Sequence, residues 1–165
     1  IKSSAASDVY KRQVEQIKNV YAMAREEGFN NINMDIILGL VGEDVDEVAH
    51  TLSEIEAMKP ESLTVHSLAI KRAAALNIWR DKYKQLSTKN TDEIIRMTED
   101  TAKRLSMEPY YMYRQKNMAG NFENVGYSVV GLECIYNILI MEEKQTIIAC
   151  GAGAVSYTHL TLPTT

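Results

Sequence analysis

Cysteine is nearly missing from this chain. Its two residues, Cys134 and Cys150, cannot build a disulfide framework, and their spacing fits no metal motif. They read as buried or half-buried thiols of a cytoplasmic protein. Basic charge is also short: 18 Lys and Arg stand against 22 Asp and Glu. That balance offers no electrostatic case for a nucleic-acid partner. No apolar run has the length of a membrane span, so no membrane partner is expected. Repeats and low-complexity tracts are absent. Proline is rare enough to act as punctuation, with Pro60 and Pro109 each placed after a helical stretch.

The two ends differ in character from the middle. Ser3 to Gln13 resembles the translation of a transposase sequencing adapter, and Val155 to Thr164 resembles the same adapter read on its opposite strand. Residues 1–13 and 155–165 are therefore expected to be adapter-derived tails and are set aside from fold reasoning. The natural sequence is expected to run from Val14 to about Ala154, as an internal piece of a longer protein.

Between the tails the pattern is helix, strand, helix, strand. Val14, Ile17, Val20, Tyr21 and Ala24 recur at helical spacing, and Gly28 provides a stop. Asp44 and Glu47 make a capping-box pair ahead of the stripe Val45, Val48, Ala49, Leu52 and Ile55. Ser62 to Leu68 alternates as a strand. Short links between such elements predict an α/β fold with a parallel sheet. Lys71 to Ser87, with Trp79, reads as a lid-like excursion. Asn90 and Glu93 are expected to cap a further helix whose buried face is Ile94, Ile95, Thr98, Ala102 and Leu105. Tyr110 to Tyr113 has strand composition. Gly120 to Tyr127 reads as loop. Cys134–Met141 and Gln145–Cys150 read as two short strands joined by a turn, and Gly151–Gly153 as a close-approach loop.

Everything is organised around Asn31–Gly42. This run is apolar and branched, as a buried strand should be. Alternation puts Ile32, Met34, Ile36 and Leu38 on one face and Asn33, Asp35 and Ile37 on the other. A carboxylate in mid-strand is costly unless it faces a cavity or a partner. Polar groups on the inner face of a parallel strand are where an α/β barrel keeps its site. Asp35 is thus the leading candidate. His66 reads as a core or rim histidine, His50 as surface, and the methionines as filler.

At these residues the chain resembles a family. Asn33-Met-Asp35-Ile-Ile-Leu-Gly39-Leu, the helix to Met58, and Lys59-Pro60-Glu-Ser-Leu-Thr-Val-His66-Ser-Leu-Ala69 are similar to the oxygen-independent coproporphyrinogen III oxidases, which are radical S-adenosylmethionine enzymes. Tyr110-Tyr-Met-Tyr-Arg-Gln-Lys-Asn117, Gly120-Asn-Phe-Glu-Asn-Val-Gly-Tyr127 and Gly151-Ala-Gly-Ala154 look most like the HemZ-type branch, coproporphyrinogen dehydrogenase. The resemblance implies a partial (β/α) radical barrel followed by the start of the family's C-terminal region. Residues 14–89 would form the C-terminal half of the barrel, and residues 90–154 its last elements and that start.

The resemblance also implies chemistry. A [4Fe–4S] cluster held by three cysteines binds S-adenosyl-L-methionine, and an electron donor triggers formation of a radical. The radical takes hydrogen from a propionate of coproporphyrinogen III, which then loses carbon dioxide and becomes a vinyl, and two propionates react in this way. Asp35 and Ala69 stand at positions that contact S-adenosylmethionine in the family. Tyr113, Arg114 and Lys116 form a basic–aromatic patch suited to substrate carboxylates, and equally a solvated charge run. The family's Cys-x3-Cys-x2-Cys motif is not in this chain, and Cys134 and Cys150 cannot replace it. No metal ligand is therefore assigned, and the chain alone is not expected to be catalytic. Two other readings stay open: a haem chaperone-like relative without oxidase activity, and a radical enzyme with another substrate.

Overall fold

The structure, a computed structural model, describes residues 14–40, 42–69, 91–113, 122–142, 146, 148 and 150. Both adapter-like ends, the excursion with Trp79, Asn90, Arg114, Lys116 and the Gly151–Gly153 loop lie outside them.

Helix α1 (Val14–Glu26) is followed by Gly28 at φ 89°, a left-handed stop that glycine tolerates best. Strand β1 (Asn33–Leu38) follows, then helix α2 (Val45–Met58) and strand β2 (Ser62–Ser67). The Asp44–Glu47 capping box forms as the sequence predicts: Glu47 Oε2 accepts from Asp44 N at 2.8 Å, and the Asp44 carboxylate accepts from the first turn. Lys59 closes α2 in a left-handed conformation ahead of Pro60. β1 and β2 pair in parallel, Asn33 opposite Ser62 through Leu38 opposite Ser67, which is the predicted neighbour relation.

Helix α3 (Asp92–Arg104) has its predicted buried face, with Ile94, Thr98 and Ala102 in the core and Ile95 packed beside them. Its cap is Thr91, one residue beyond the expected Asn90: the Thr91 hydroxyl accepts from Ile94 N. Strand β3 (Met107–Tyr113) is longer than Tyr110–Tyr113 and contains Pro109. Pro109 is tolerated because β3 is an edge strand among the described strands and bulges between Pro109 and Tyr111.

Three expectations are overturned. The Gly- and Asn-rich stretch does not stay a loop to Tyr127, because Asn124–Val129 is strand β4, antiparallel to both β2 and β3. The Cys134–Met141 segment is not a strand, because Ile135–Met141 is helix α4. Of the partner strand expected at Gln145–Cys150, only residues 146, 148 and 150 are described, and none is in a strand. Cys134 and Cys150 are exposed rather than buried.

The described strands make one mixed sheet in the order β1-β2-β4-β3. One face is apolar. Ile36, Leu38, Leu63, Val65, Met107 and Tyr127 pack there with Val48, Leu52 and Ile55 of α2 and with Ile94 and Ala102 of α3. Arg104 clamps these two helices through a two-pronged contact with Glu56, at 2.8 and 3.0 Å. The stripe on α1 departs from this pattern. Val14, Ile17 and Val20 are exposed, and with Tyr21 and Ala24 the last two line an open groove of about 760 Å³ that reaches Asn33, Met34 and Asp35.

Candidate functional site

The other sheet face carries the polar residues. Because β1 and β2 run parallel with Asp35 opposite Thr64, the alternation places Asn33, Asp35, Thr64 and His66 on a common surface. β4 contributes Gly126 opposite both Thr64 and Tyr111, so the Tyr111 ring crosses the glycine and engages the Thr64 side chain. Tyr111 and Tyr113 stack nearly parallel, 6.3 Å between centroids.

Asp35 is the centre of this surface. Its Oδ1 accepts from Asn33 Nδ2 at 2.6 Å, and Asn33 Oδ1 in turn accepts from the Thr64 hydroxyl at 3.1 Å. Its Oδ2 lies 3.8 Å from His66 Nε2, a charge contact too long for a hydrogen bond. The other ring nitrogen, His66 Nδ1, is 3.2 Å from the Tyr113 hydroxyl. His66, Asn33 and Thr64 together hold the Asp35 carboxyl below its ordinary range, against the upward push of partial burial. The Asp35 side chain nevertheless remains 61% exposed. No Lys or Arg pairs with it among the described residues.

Tyr111 is pushed upward by burial, so it stays a neutral phenol beside Asp35 at neutral pH. Among the described residues no group of three His, Cys, Asp or Glu side chains could hold a metal ion.

The predicted site residues are only partly brought together. Asp35 and Tyr113 meet through His66. Ala69 is half-buried, two residues past the end of β2. Thr64, opposite Asp35, precedes it by five residues, about 16 Å of extended chain. A ligand touching both must lie along the sheet. Arg114 and Lys116 fall outside the described residues. Sequence reasoning set Asn33 on the face of Asp35 without naming it as a site residue, and missed Thr64, Tyr111 and above all His66 as members. The signal was present: the same alternation that singled out Asp35 sets Thr64 and His66 on the same face of β2.

Comparison with known proteins agrees with the resemblance read in the sequence. The chain is 52% identical over 146 residues to the oxygen-independent coproporphyrinogen-III oxidase-like protein HemZ of Bacillus subtilis (strain 168). The match takes in 87% of this chain and 28% of that protein, so the chain spans little more than a quarter of its relative's length. No family model matches the chain, and no solved structure does. The HemZ-type resemblance therefore holds at the level of this segment. Among the described residues no helix is long and apolar enough to cross a membrane.

Proposed function

We propose that this chain is part of an oxygen-independent coproporphyrinogen III dehydrogenase that acts in the cytoplasm in porphyrin and haem biosynthesis. The reaction is the oxidative decarboxylation of two propionates of coproporphyrinogen III to vinyls, with an electron donor as second partner. The radical barrel is the fold this reading requires, with β1 and β2 as two of its strands. The observation that carries the reading is a largely exposed Asp35, its carboxyl held below the ordinary range, on an open polar sheet face with no Lys or Arg against it among the described residues.

S-adenosylmethionine fits that face. An ionised carboxylate only accepts hydrogen bonds, and the ligand's ribose hydroxyls and ammonium group can donate them. Ala69, small and at a strand end, lets a ligand approach the backbone closely. When bound, S-adenosylmethionine supplies the hydrogen-abstracting radical chemistry. The [4Fe–4S] cluster does not fit the described residues, and no step through it is derived; its ligands belong to the Cys-x3-Cys-x2-Cys motif that this chain lacks. The segment alone is accordingly inactive.

The work left to this chain's own residues is binding and orientation. Asn33, itself held by the Thr64 hydroxyl, fixes one oxygen of Asp35, leaving the other toward His66 and the open face. Tyr113 already hydrogen-bonds His66, so recognition of substrate propionates falls mainly to Arg114 and Lys116, as suits carboxylates.

The test is isothermal titration of S-adenosylmethionine into a reconstituted full-length protein carrying this segment. Asp35→Asn should weaken binding by about 1.5–3 kcal/mol, the range for hydrogen bonds to a charged group. Unchanged affinity would remove Asp35 from the site. Conversion of coproporphyrinogen III, set against haem binding without conversion, separates the dehydrogenase from a haem-handling relative.

A further inference from the structure

Tyr111 and Tyr113 stand two apart on β3, beyond the bulge at Pro109, so their side chains share the polar face of the sheet. Each ring crosses β4. Tyr111 pairs with Gly126, and its ring lies over that glycine, where any side chain would collide with it. Tyr113 pairs with Asn124, and its hydroxyl is 3.2 Å from His66 Nδ1 on β2, the strand beyond β4. The buried Asn124 lies under that crossing. The two rings are parallel to within 3°, with centroids 6.3 Å apart. They form one aromatic strip over the sheet. Both are half-buried, so part of each ring stays accessible. Covering a strand glycine is reason enough for an aromatic ring at Tyr111. It does not account for Tyr113, which covers no glycine and repeats the crossing in parallel. Tyr111 also borders, with Tyr110, Ile138 and Met141, an open cavity of about 380 Å³, room enough for a ligand of several rings.

We propose that the Tyr111–Tyr113 strip is the surface against which the pyrrole rings of the tetrapyrrole substrate lie; the identity of that ligand rests on the dehydrogenase reading above. Flat rings settle on aromatic side chains by offset stacking or edge contact. The strip itself offers two aromatic rings and no carboxylate or cation, so it takes rings rather than charged groups. Its place selects which rings. β4 lies two strands from β1, about 10 Å at the usual strand spacing. The positions read as cofactor contacts, Asp35 and Ala69, belong to β1 and to the chain just past β2. A ring held over β4 therefore belongs to a second molecule lying beside the cofactor.

The experiment uses the full chain, ¹³C-labelled in its tyrosine rings, with coproporphyrin III, the stable oxidised form of the substrate, as probe. A porphyrin shifts the resonances of groups against its face upfield. The Tyr111 and Tyr113 signals, assigned with Tyr111→Phe and Tyr113→Phe, should therefore move most among the chain's tyrosines, and adenosine should move neither. The shifts are read in the parent chain, so they hold even where a variant folds poorly. Titration followed by porphyrin absorbance should leave the Kd of both phenylalanine variants within about twofold of the parent, since the rings remain. Tyr111→Leu and Tyr113→Leu should each weaken binding about tenfold, the loss of one stacking contact. A ring that only fills space would let leucine bind as well as phenylalanine. Shifts spread evenly over all tyrosines, larger shifts with adenosine, or leucine variants that bind like the parent overturn the proposal. If the two signals respond to coproporphyrin III while the full-length protein does not convert coproporphyrinogen III, the dehydrogenase reading fails and the strip stands. Conversion with no response at the two rings keeps that reading and overturns the strip.

Discussion

The ring of Tyr111 lies across Gly126, so close that a Cβ built on the glycine would sit 2.7 Å from Tyr111 Cζ and closer still to its Cε1 and Cδ1. The bare strand position on β4 is what lets an edge-strand tyrosine reach Thr64 and cover the middle of the sheet.

Gly126→Ala should therefore destabilise the chain despite alanine's better strand entropy. Overpacking of this kind costs about 1–3 kcal/mol. Tyr111→Leu in the same chain should recover part of the loss, because the neighbour that clashes is gone. Urea unfolding of the two single variants and the double variant gives the coupling. Purely additive effects would show that the two side chains do not compete for this space.

The same contact explains why β4 was hidden in the sequence. Asn124 and Gly126 are turn-prone residues, yet each has a tertiary reason to be in a strand. Asn124 is buried because its Oδ1 accepts from Ser67 N at 2.7 Å, and Gly126 because Tyr111 takes the place of its side chain. α4 misled in the opposite direction. Ile-Tyr-Asn-Ile-Leu-Ile-Met is β-branched and aromatic, which favours strands, and the helix has no side-chain cap. Asn137 ties it to Tyr110 at 2.9 Å, a contact 27 residues apart that no local pattern announces. By contrast β1, α2 and β2 were legible because local patterns agreed with the fold: alternation, a capping box and a proline stop. Asp35 was legible for the same reason, as the polar residue that the pattern could not absorb. Its partner His66 was not, since a lone histidine at a strand end has too many ordinary explanations.

Arg25 and Glu61 predict acid sensitivity. Arg25 donates to Glu61 at 2.8 Å and to the Lys59 carbonyl at 3.0 Å, while Glu61 also accepts from Ile32 N at 2.9 Å. The cluster ties the end of α1 and the entry of β1 to the start of β2. Burial pushes the Glu61 carboxyl up, but the Arg25 and Ile32 donors together leave it below its ordinary value of 4.5. A lowered folded value means the stabilisation is present above the unfolded value and is lost as pH falls through the folded one. Arg25→Leu should cost about 1–2 kcal/mol at neutral pH, and the gap from the parent chain should close below about pH 4. Thermal melts across that range check it; a gap that is constant with pH would make the contact a packing effect.

Tyr127 predicts the alkaline limit. Burial, with Glu99 nearby, pushes its phenol from 10.0 up to about 12. The sign is that of a raised group: stability is fully present below pH 10 and is lost as pH rises through about 12. A rise of this size corresponds to something on the order of 3 kcal/mol. Tyr127→Phe keeps the ring in the core and removes the titration, so it should hold its unfolding midpoint above pH 10 where the parent chain loses stability. Parallel losses in both chains would assign the alkaline transition to other groups.

Two apolar surfaces meet at the β1 side of the sheet. β1 ends the strand order, so its outer edge pairs with no other strand among the described residues. Beside it, α1 exposes Val14, Val20 and Met23, and β1 itself exposes Ile37. An unpaired edge is a template for strand addition, and apolar side chains next to it add area to any such contact. The isolated chain should therefore self-associate as its concentration rises, through this side rather than through β3, whose edge carries Pro109 and a bulge. Val20→Lys and Ile37→Lys each place a charge where an added strand or helix would have to bury it, at no cost to the core, because both side chains are exposed. Sedimentation velocity over a concentration series should show the association weakened in either variant and nearly abolished in the pair, with unfolding midpoints unchanged. A parent chain that stays monomeric throughout, or lysine variants that associate as strongly as the parent, would mean that this edge is closed by residues other than those described.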